Sequence, residues 1–284
     1  MTKASSWSFQ VKYEIDCFLM SQHLFDLSGQ VALVTGASRG LGQYMARALA
    51  MAGADIAITS RGKDRLAKTQ QEILSIGRRV LPVELDVLDT SSIRSATDAI
   101  ERHFGRLDIL VNNAGCNVRR RALEVTEEDW DMVVNTNLRG AFFVAQAAAQ
   151  IMKSQNSGRV INIGSVTCVA GYAGMGPYCA SRGGIKQLTM SLAHDWAEYG
   201  ITVNCLAPGW FKTEQSRMLY EDETWLSMLK ERIPMARPGH PNDLDGMVVF
   251  LASESSRYIT GQTYLVDGGV SIGAIRAMPQ SELS

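Results

Sequence analysis

Residues 178–182 read YCASR, inside the run GPYCASRGGIKQLTMSLAHDWAEYG. Tyr178 stands four residues before Arg182, and on a helix such a pair shares one face about one turn apart. The chemistry open to a phenol beside a guanidinium is proton transfer. A phenol exchanges its proton near neutral pH only where its anion is stabilised, and a cation about 4 Å away, at an effective dielectric of about 20, is worth about 4 kcal/mol. Taken alone, the pair also reads as a half-buried aromatic with its hydroxyl in water.

A second chemical grouping is TGASRGLG, residues 35–42. Gly36, Gly40 and Gly42 leave room for a tight turn and a close backbone approach, and the free N–H groups of a helix start favour a pyrophosphate. Ser38, Arg39 and Leu41 complete the loop as cofactor contacts. A glycine triplet alone is a weak signal, because turns need glycine for conformational reasons. Its place between a strand and a helix points to a dinucleotide. The end of the second strand then chooses between cofactors: a carboxylate there would bind the ribose hydroxyls of NAD(H), whereas arginine accommodates the extra phosphate of NADP(H). Here stand Ser60 and Arg61, with no carboxylate before Asp64 and with Arg39 in the loop nearby, so NADP(H) is expected ahead of NAD(H).

The elements that must position these groups alternate along the chain. QVALVT (30–35), ADIAITS (54–60), RVLPVEL (79–85), LDILVNN (107–113), GRVINIG (158–164), ITVNCLA (201–207) and TYLVDGG (263–269) are nearly continuous apolar runs. Such strands suit a sheet covered on both faces, and the helical patterns between them imply parallel crossovers. Leu41, Met45, Leu49 and Ala52 form one apolar helical stripe closed by Gly53. Thr126 before EEDW reads as an N-cap opening a long helix through Met152. The expectation is an α/β protein: one domain with a doubly wound, Rossmann-like parallel sheet of about seven strands, spanning 24–284. Ligands of such sheets sit beyond the carboxyl ends of the strands.

Composition narrows the partners. The 284 residues carry 28 Lys and Arg against 29 Asp and Glu, a net charge of −1, so no global field recruits nucleic acid or an anionic membrane. A small molecule is the expected partner. Cys17, Cys116, Cys168, Cys179 and Cys205 are odd in number and widely spaced, without a CxxC pair, which suits a reducing cytoplasmic compartment and speaks against a metal site. Lys12, Glu14 and Asp16 interrupt the apolar core a signal peptide needs, and residues 1–23 read as an extension before the domain. His103, His194 and His240 read as surface or packing residues.

With TGASRGLG, NNAG at 112–115, NIGS at 162–165, YCASR at 178–182 and PGW at 208–210 in that order, the chain resembles the short-chain dehydrogenase/reductase family over about residues 24 to 272. The resemblance implies that Tyr178 is the general acid and base, that Ser165 orients and polarises a substrate carbonyl, and that Asn137 in NTNLRG supports a water-mediated proton relay. It also implies that Asn113, Ala114 and Gly115 line the cofactor, that Asp86 and Val87 meet its adenine, and that Pro208, Gly209 and Thr213 flank its nicotinamide. The family pattern has lysine where this chain has Arg182. The charge is kept, but a planar fork replaces a rotatable ammonium that would also bind the nicotinamide ribose. Lys186 lies two turns from Tyr178, too far along the axis to substitute.

From Pro208 to Val270 the chain most resembles the gluconate 5-dehydrogenase and 2-deoxygluconate dehydrogenase group, in WFKTE, YEDE, RIPMARPG and FLASESS. That resemblance implies interconversion of a secondary alcohol and a ketone on a sugar acid or polyol, a substrate lid over about 210–234, and a homotetramer built on the Ala-rich faces of 126–152 and 176–199. One of Arg119, Arg120 and Arg121 could pair with a substrate carboxylate, although three arginines in a loop are more often simply solvated. Two other readings stay open: a 3-oxoacyl thioester (acyl-carrier-protein) reductase with the same core, and an NADP-binding sensor or scaffold whose chemistry Arg182 has weakened.

Overall fold

In a computed structural model of the chain, residues 24–213 and 220–273 are described. The expected extension at 1–23, residues 214–219 of the expected lid, and 274–284 lie outside them. Seven strands form one parallel sheet: β1 Val31–Val34, β2 Asp55–Ser60, β3 Val80–Glu84, β4 Ile109–Asn112, β5 Gly158–Ile163, β6 Ile201–Pro208 and β7 Thr263–Val266. Their order is β3-β2-β1-β4-β5-β6-β7. The expected strands are all present. Most are a residue or more shorter than expected, whereas β6 runs one residue further, to Pro208.

Side chains along a strand alternate between two cores. Ala32 and Val34 pack on one face with Ile56, Ile58 and Val111, under helices α1 (Gly40–Met51) and α2 (Ala67–Ser75). Val31 and Leu33 pack on the other with Ala57, Leu110 and Val160, under α3 (Thr90–Phe104) and α5 (Gly140–Gln155). Every residue of β1, β2, β4, β5 and β6 is buried, as a sheet covered on both faces demands. Pro82, which has no N–H to donate, sits in the edge strand β3.

The helix expected over 126–152 is built in three parts. The Thr126 side chain accepts from the N–H of Asp129, whose carboxylate in turn accepts from the N–H of Thr126, and this capping box starts α4 (Glu127–Val134). A π-helical turn over Asn135–Arg139 follows, and then α5. Such turns widen a helix by one residue and recur at functional sites. Beyond them lie α6 (Gly176–Trp196), α7 (Glu223–Arg232) and α8 (Asp245–Ala252). Gly53 follows α1 with φ of 108°, the left-handed stop its position implied.

Strand order reverses between β1 and β4, and the crevice that such a reversal opens beyond the strand ends holds the candidate site.

Candidate active site

Beyond β1 the chain makes the turn Thr35–Arg39 and enters α1. Gly36 and Gly40 take left-handed φ values of 65° and 62°. Gly42 is required for another reason: a Cβ there would lie 2.5 Å from both the Gly36 carbonyl oxygen and Asn113 Nδ2. The loop is tied to its neighbours. Ala37 donates its N–H to Thr59 O at 2.9 Å, and Thr35 Oγ1 accepts from the N–H groups of Asn113 and Ala114 at 2.9 Å each. The Asn113 amide donates back to Thr35 O and Gly36 O. NNAG therefore serves first as a brace that fixes the glycine loop, while Asn112 braces β5 and α5 through Asn162 and Ala141.

A cleft of ≈ 1180 Å³ runs across these strand ends. Its floor at β1 is Gly36, Ser38, Arg39, Gly40, Leu41 and Gly42; Ser60 and Arg61 stand at β2, Asp86 and Val87 at β3, and Asn113, Ala114 and Gly115 at β4. Ser165 follows β5, Tyr178 and Arg182 face the cleft from α6, and Pro208 at the end of β6, with Gly209 and Thr213 beyond it, closes it. The expected site residues thus converge, with one exception. Asn137, in the π-helical turn, is 0% exposed and sits behind the wall. Its oxygen accepts the Cys116 N–H at 2.8 Å, and its Nδ2 donates to Cys116 O and to Ser181 Oγ. In this arrangement it positions the backbone after Gly115.

The cleft fits a dinucleotide. Arg39, the residue before α1, gives no side-chain cap to the helix, and the first turn has no acidic residue, so its N–H groups are open to an anion. Three cations, Arg39, Arg61 and Arg65, line the β2 end. Asp86 is the one carboxylate among the described lining residues, and one of its oxygens already accepts from the N–H of Leu88.

At the opposite end, Ser165 starts a short helical turn, its Oγ accepting from the Thr167 N–H at 3.2 Å. The Ser165 N–H donates to Cys168 Sγ, and that thiol donates to Arg182 O at 3.0 Å. The Arg182 guanidinium is 6% exposed and donates from Nη1 to Ile163 O at 2.7 Å. Its carbon lies 5.0 Å from the Tyr178 ring centroid, so the cation meets the face of the phenol. Lys186, half-buried farther along α6, is not among the residues lining the cleft.

Cys168 and Cys205 hydrogen-bond beside Ser165. A bond from Cys205 lowers the Cys168 thiol to about 7, helped by the Ser165 N–H and by Arg182, while Cys205 is pushed up by the same pairing and by burial. Tyr220 enters the cleft as well; burial raises its hydroxyl to about 12, partly offset by Arg119. Sequence reasoning missed Arg65, Cys116 and Tyr220 as lining residues. Arg65 left a trace as a third cation just after β2, and Tyr220 as the first residue of YEDE in the expected lid.

A second cavity, of ≈ 830 Å³, opens beside the first and shares Arg119, Met175 and Trp210 with it. Among Arg119, Arg120 and Arg121, Arg120 is committed to Asp129 at 2.8 Å.

Residues 36–271 match the family described as enoyl-(acyl carrier protein) reductase. Gluconate 5-dehydrogenase of Gluconobacter oxydans (strain 621H) is 40% identical over 249 residues, 88% of this chain and 97% of that protein. The 2-dehydro-3-deoxy-D-gluconate 5-dehydrogenase of Escherichia coli (strain K12) is 42% identical over 246 residues, 86% of this chain and 96% of that one. The crystal structure of a gluconate 5-dehydrogenase from Burkholderia cenocepacia J2315, in complex with NADP and tartrate, superposes with a TM-score of 0.86 at 39% identity, covering 89% of this chain and 99% of that one. Glycine loop, braced NNAG, serine and tyrosine thus sit on a sheet shared almost end to end with dehydrogenases, and the chain belongs to the short-chain dehydrogenase/reductase family.

Proposed function

We propose that the protein is an NADP(H)-dependent oxidoreductase interconverting a secondary alcohol and a ketone on a sugar acid or polyol, in the manner of gluconate 5-dehydrogenase. The observation that carries this reading is the polarity of one cleft: three arginines at the β2 end, Ser165 and Tyr178 at the other. The relatives named for gluconate chemistry, and the Burkholderia enzyme's NADP and tartrate, support the same choice.

Gly36, Gly40, Gly42 and the start of α1 would hold the pyrophosphate, with Arg39 and Arg61 at the 2′-phosphate. Bound there, the dinucleotide supplies or accepts the hydride. Tyr178 gives its proton to the carbonyl oxygen during reduction and takes it back during oxidation, and the Ser165 hydroxyl holds that oxygen. Arg182 keeps a positive charge against the phenol. Asn137 acts through Cys116 and Ser181, whose backbone and hydroxyl adjoin the acid/base pair. Arg119, which lines both cavities and makes no ion pair among the described residues, is the arginine placed to meet a substrate carboxylate.

The segment 210–234, with α7 inside it, acts as the lid of a single catalytic domain. A groove between α5 and α6, lined by Leu138, Phe142, Gly184 and Leu188, is where further subunits would pack to make a homotetramer; sedimentation at micromolar concentration tests this, and a monomer refutes it. Four cysteines are free among the described residues, in keeping with the cytoplasm, and no helix there is long and apolar enough to cross a membrane.

The deciding experiment follows NADPH and NADH oxidation with a panel of keto sugar acids, polyol-derived ketoses and β-keto thioesters. Turnover of a keto sugar acid with NADPH is expected. Exclusive turnover of thioesters would favour the acyl-reductase reading, to which the description of the matched family adds weight. NADPH binding with no turnover of any member would favour the sensor.

A further inference from the structure

The second cavity has walls unlike those a polyol needs. Tyr172, Trp210 and Trp225 stand edge to face in a row, with centroids 5.6 Å and 5.5 Å apart and interplanar angles of 85° and 73°. Met228 and Leu229 of α7 continue the apolar surface. A hydroxyl set against such a wall loses its water without gaining a partner.

The cavity's charge is one-sided. Among the described residues no aspartate or glutamate lines it, whereas Arg119, Arg121 and Arg232 do so and make no ion pair there. Trp225 Nε1 is buried with no acceptor. A buried donor without a partner is costly, and a ligand oxygen would relieve it. Rings, cations and an orphan N–H together suit an organic anion with an apolar body: the body lies on the rings and the carboxylate meets the arginines.

We propose that this cavity admits a second substrate class to the same active site: small keto acids with an aryl or branched-alkyl body, and the corresponding hydroxy acids. The proposal rests on the dehydrogenase reading above. In the reducing direction the carbonyl carbon receives a hydride from the reduced dinucleotide, which is oxidised. The oxygen receives the Tyr178 proton, which solvent restores, so the C=O double bond becomes C–O with new C–H and O–H bonds.

The test uses 4-oxo-4-phenylbutanoate, its methyl ester and a 5-keto sugar acid on the full chain with NADP(H). Binding is read by tryptophan fluorescence in the presence of NADP⁺, and turnover by NADPH absorbance. The phenyl keto acid should bind and turn over. The ester should bind at least about tenfold more weakly through loss of its charge-assisted contacts, and Arg232→Gln, at an exposed position, should weaken the acid and not the ester. Trp225→Phe should weaken the acid by loss of the N–H alone, and Trp225→Ala should weaken both. If the sugar acid turns over while the phenyl keto acid neither binds nor reacts, the inference falls and the sugar-acid reading stands. If the phenyl keto acid binds and reacts with these dependences while the sugar acid does not react, the inference stands and the sugar-acid reading falls. Binding that neither Arg232→Gln nor Trp225→Phe alters would also overturn it.

Discussion

The guanidinium carbon of Arg182 lies 5.0 Å from the centre of the Tyr178 ring, and its Nη1 is anchored on Ile163 O at 2.7 Å. The cation is therefore held by the end of β5 and presented to the π face of the phenol, a favourable placement for a desolvated guanidinium. A phenylalanine at 178 would keep that stack and lose only the hydroxyl. Tyr178→Phe should lower kcat by about 10²- to 10⁴-fold, the usual worth of a positioned acid, while the NADPH dissociation constant changes by less than about threefold. Retained turnover at more than a tenth of the wild-type rate would remove Tyr178 from the proton step.

The Gly115 backbone and the Arg182 guanidinium approach too closely to leave room for a side chain between them. A Cβ on Gly115 would lie 2.5 Å from Arg182 Nη2 and 3.0 Å from Asn137 Oδ1. Gly115→Ala should displace the guanidinium and cut kcat by about tenfold or more. A lysine has no second terminal nitrogen, so in an Arg182→Lys background the same change should cost less, and Arg182→Lys alone should hold or raise kcat. Arg182→Ala should lower it, because the charge beside Tyr178 is gone and Ile163 O loses its donor. Steady-state rates for the four corners of the cycle measure the coupling. Strict additivity would mean that Gly115 acts on something other than Arg182.

Much of this was legible from residue order alone. β1 to β7 announced themselves as apolar runs, Thr126 declared its cap by the carboxylate three residues on, and the glycine loop fell where strand met helix. The misses share a cause. A hydrophobic period of 3.6 cannot register the one-residue widening at Asn135–Arg139, so the bonds by which Asn137 braces Cys116 were not legible in it. Spacing placed Arg182 on the face of Tyr178 but could not say that Ile163 O would draw its guanidinium across the ring. The row Tyr172, Trp210 and Trp225 joins three segments distant in sequence, and nothing local to any of them announces the other two.

Cofactor choice should follow the β2 end. Arg39, Arg61 and Arg65 line it without a carboxylate of their own strand end. Arg61→Glu places a carboxylate where the 2′-phosphate would sit and should weaken NADPH by about 10- to 100-fold, the worth of one charge-assisted contact. NADH should be unchanged or bind more tightly. Fluorescence titrations of both nucleotides decide the matter, and tighter NADH than NADPH binding by the wild type would overturn the assignment.

The thiol pair beside Ser165 should write itself into the pH dependence of stability. Cys168 falls from the ordinary thiol value of 9.0 to about 7, chiefly because Cys205 donates to its sulfur. A depressed folded-state value means that between about pH 7 and 9 the folded thiol has lost its proton while the unfolded one keeps it. Folding is then favoured increasingly as pH rises through that window, and the gain is lost as pH falls through 7. Cys205 works in the opposite sense: pairing and burial hold it protonated, so above pH 9 the unfolded chain ionises first and stability declines. Urea unfolding under reducing conditions should show wild-type stability climbing by roughly 1–3 kcal/mol from pH 7 to 9 relative to Cys168→Ser, then bending down. Because other groups titrate in the same range, the difference between the two curves is the quantity to read. A flat difference across the window would mean that Cys168 stays protonated against Arg182 O, and that Ser165 is positioned by a neutral thiol.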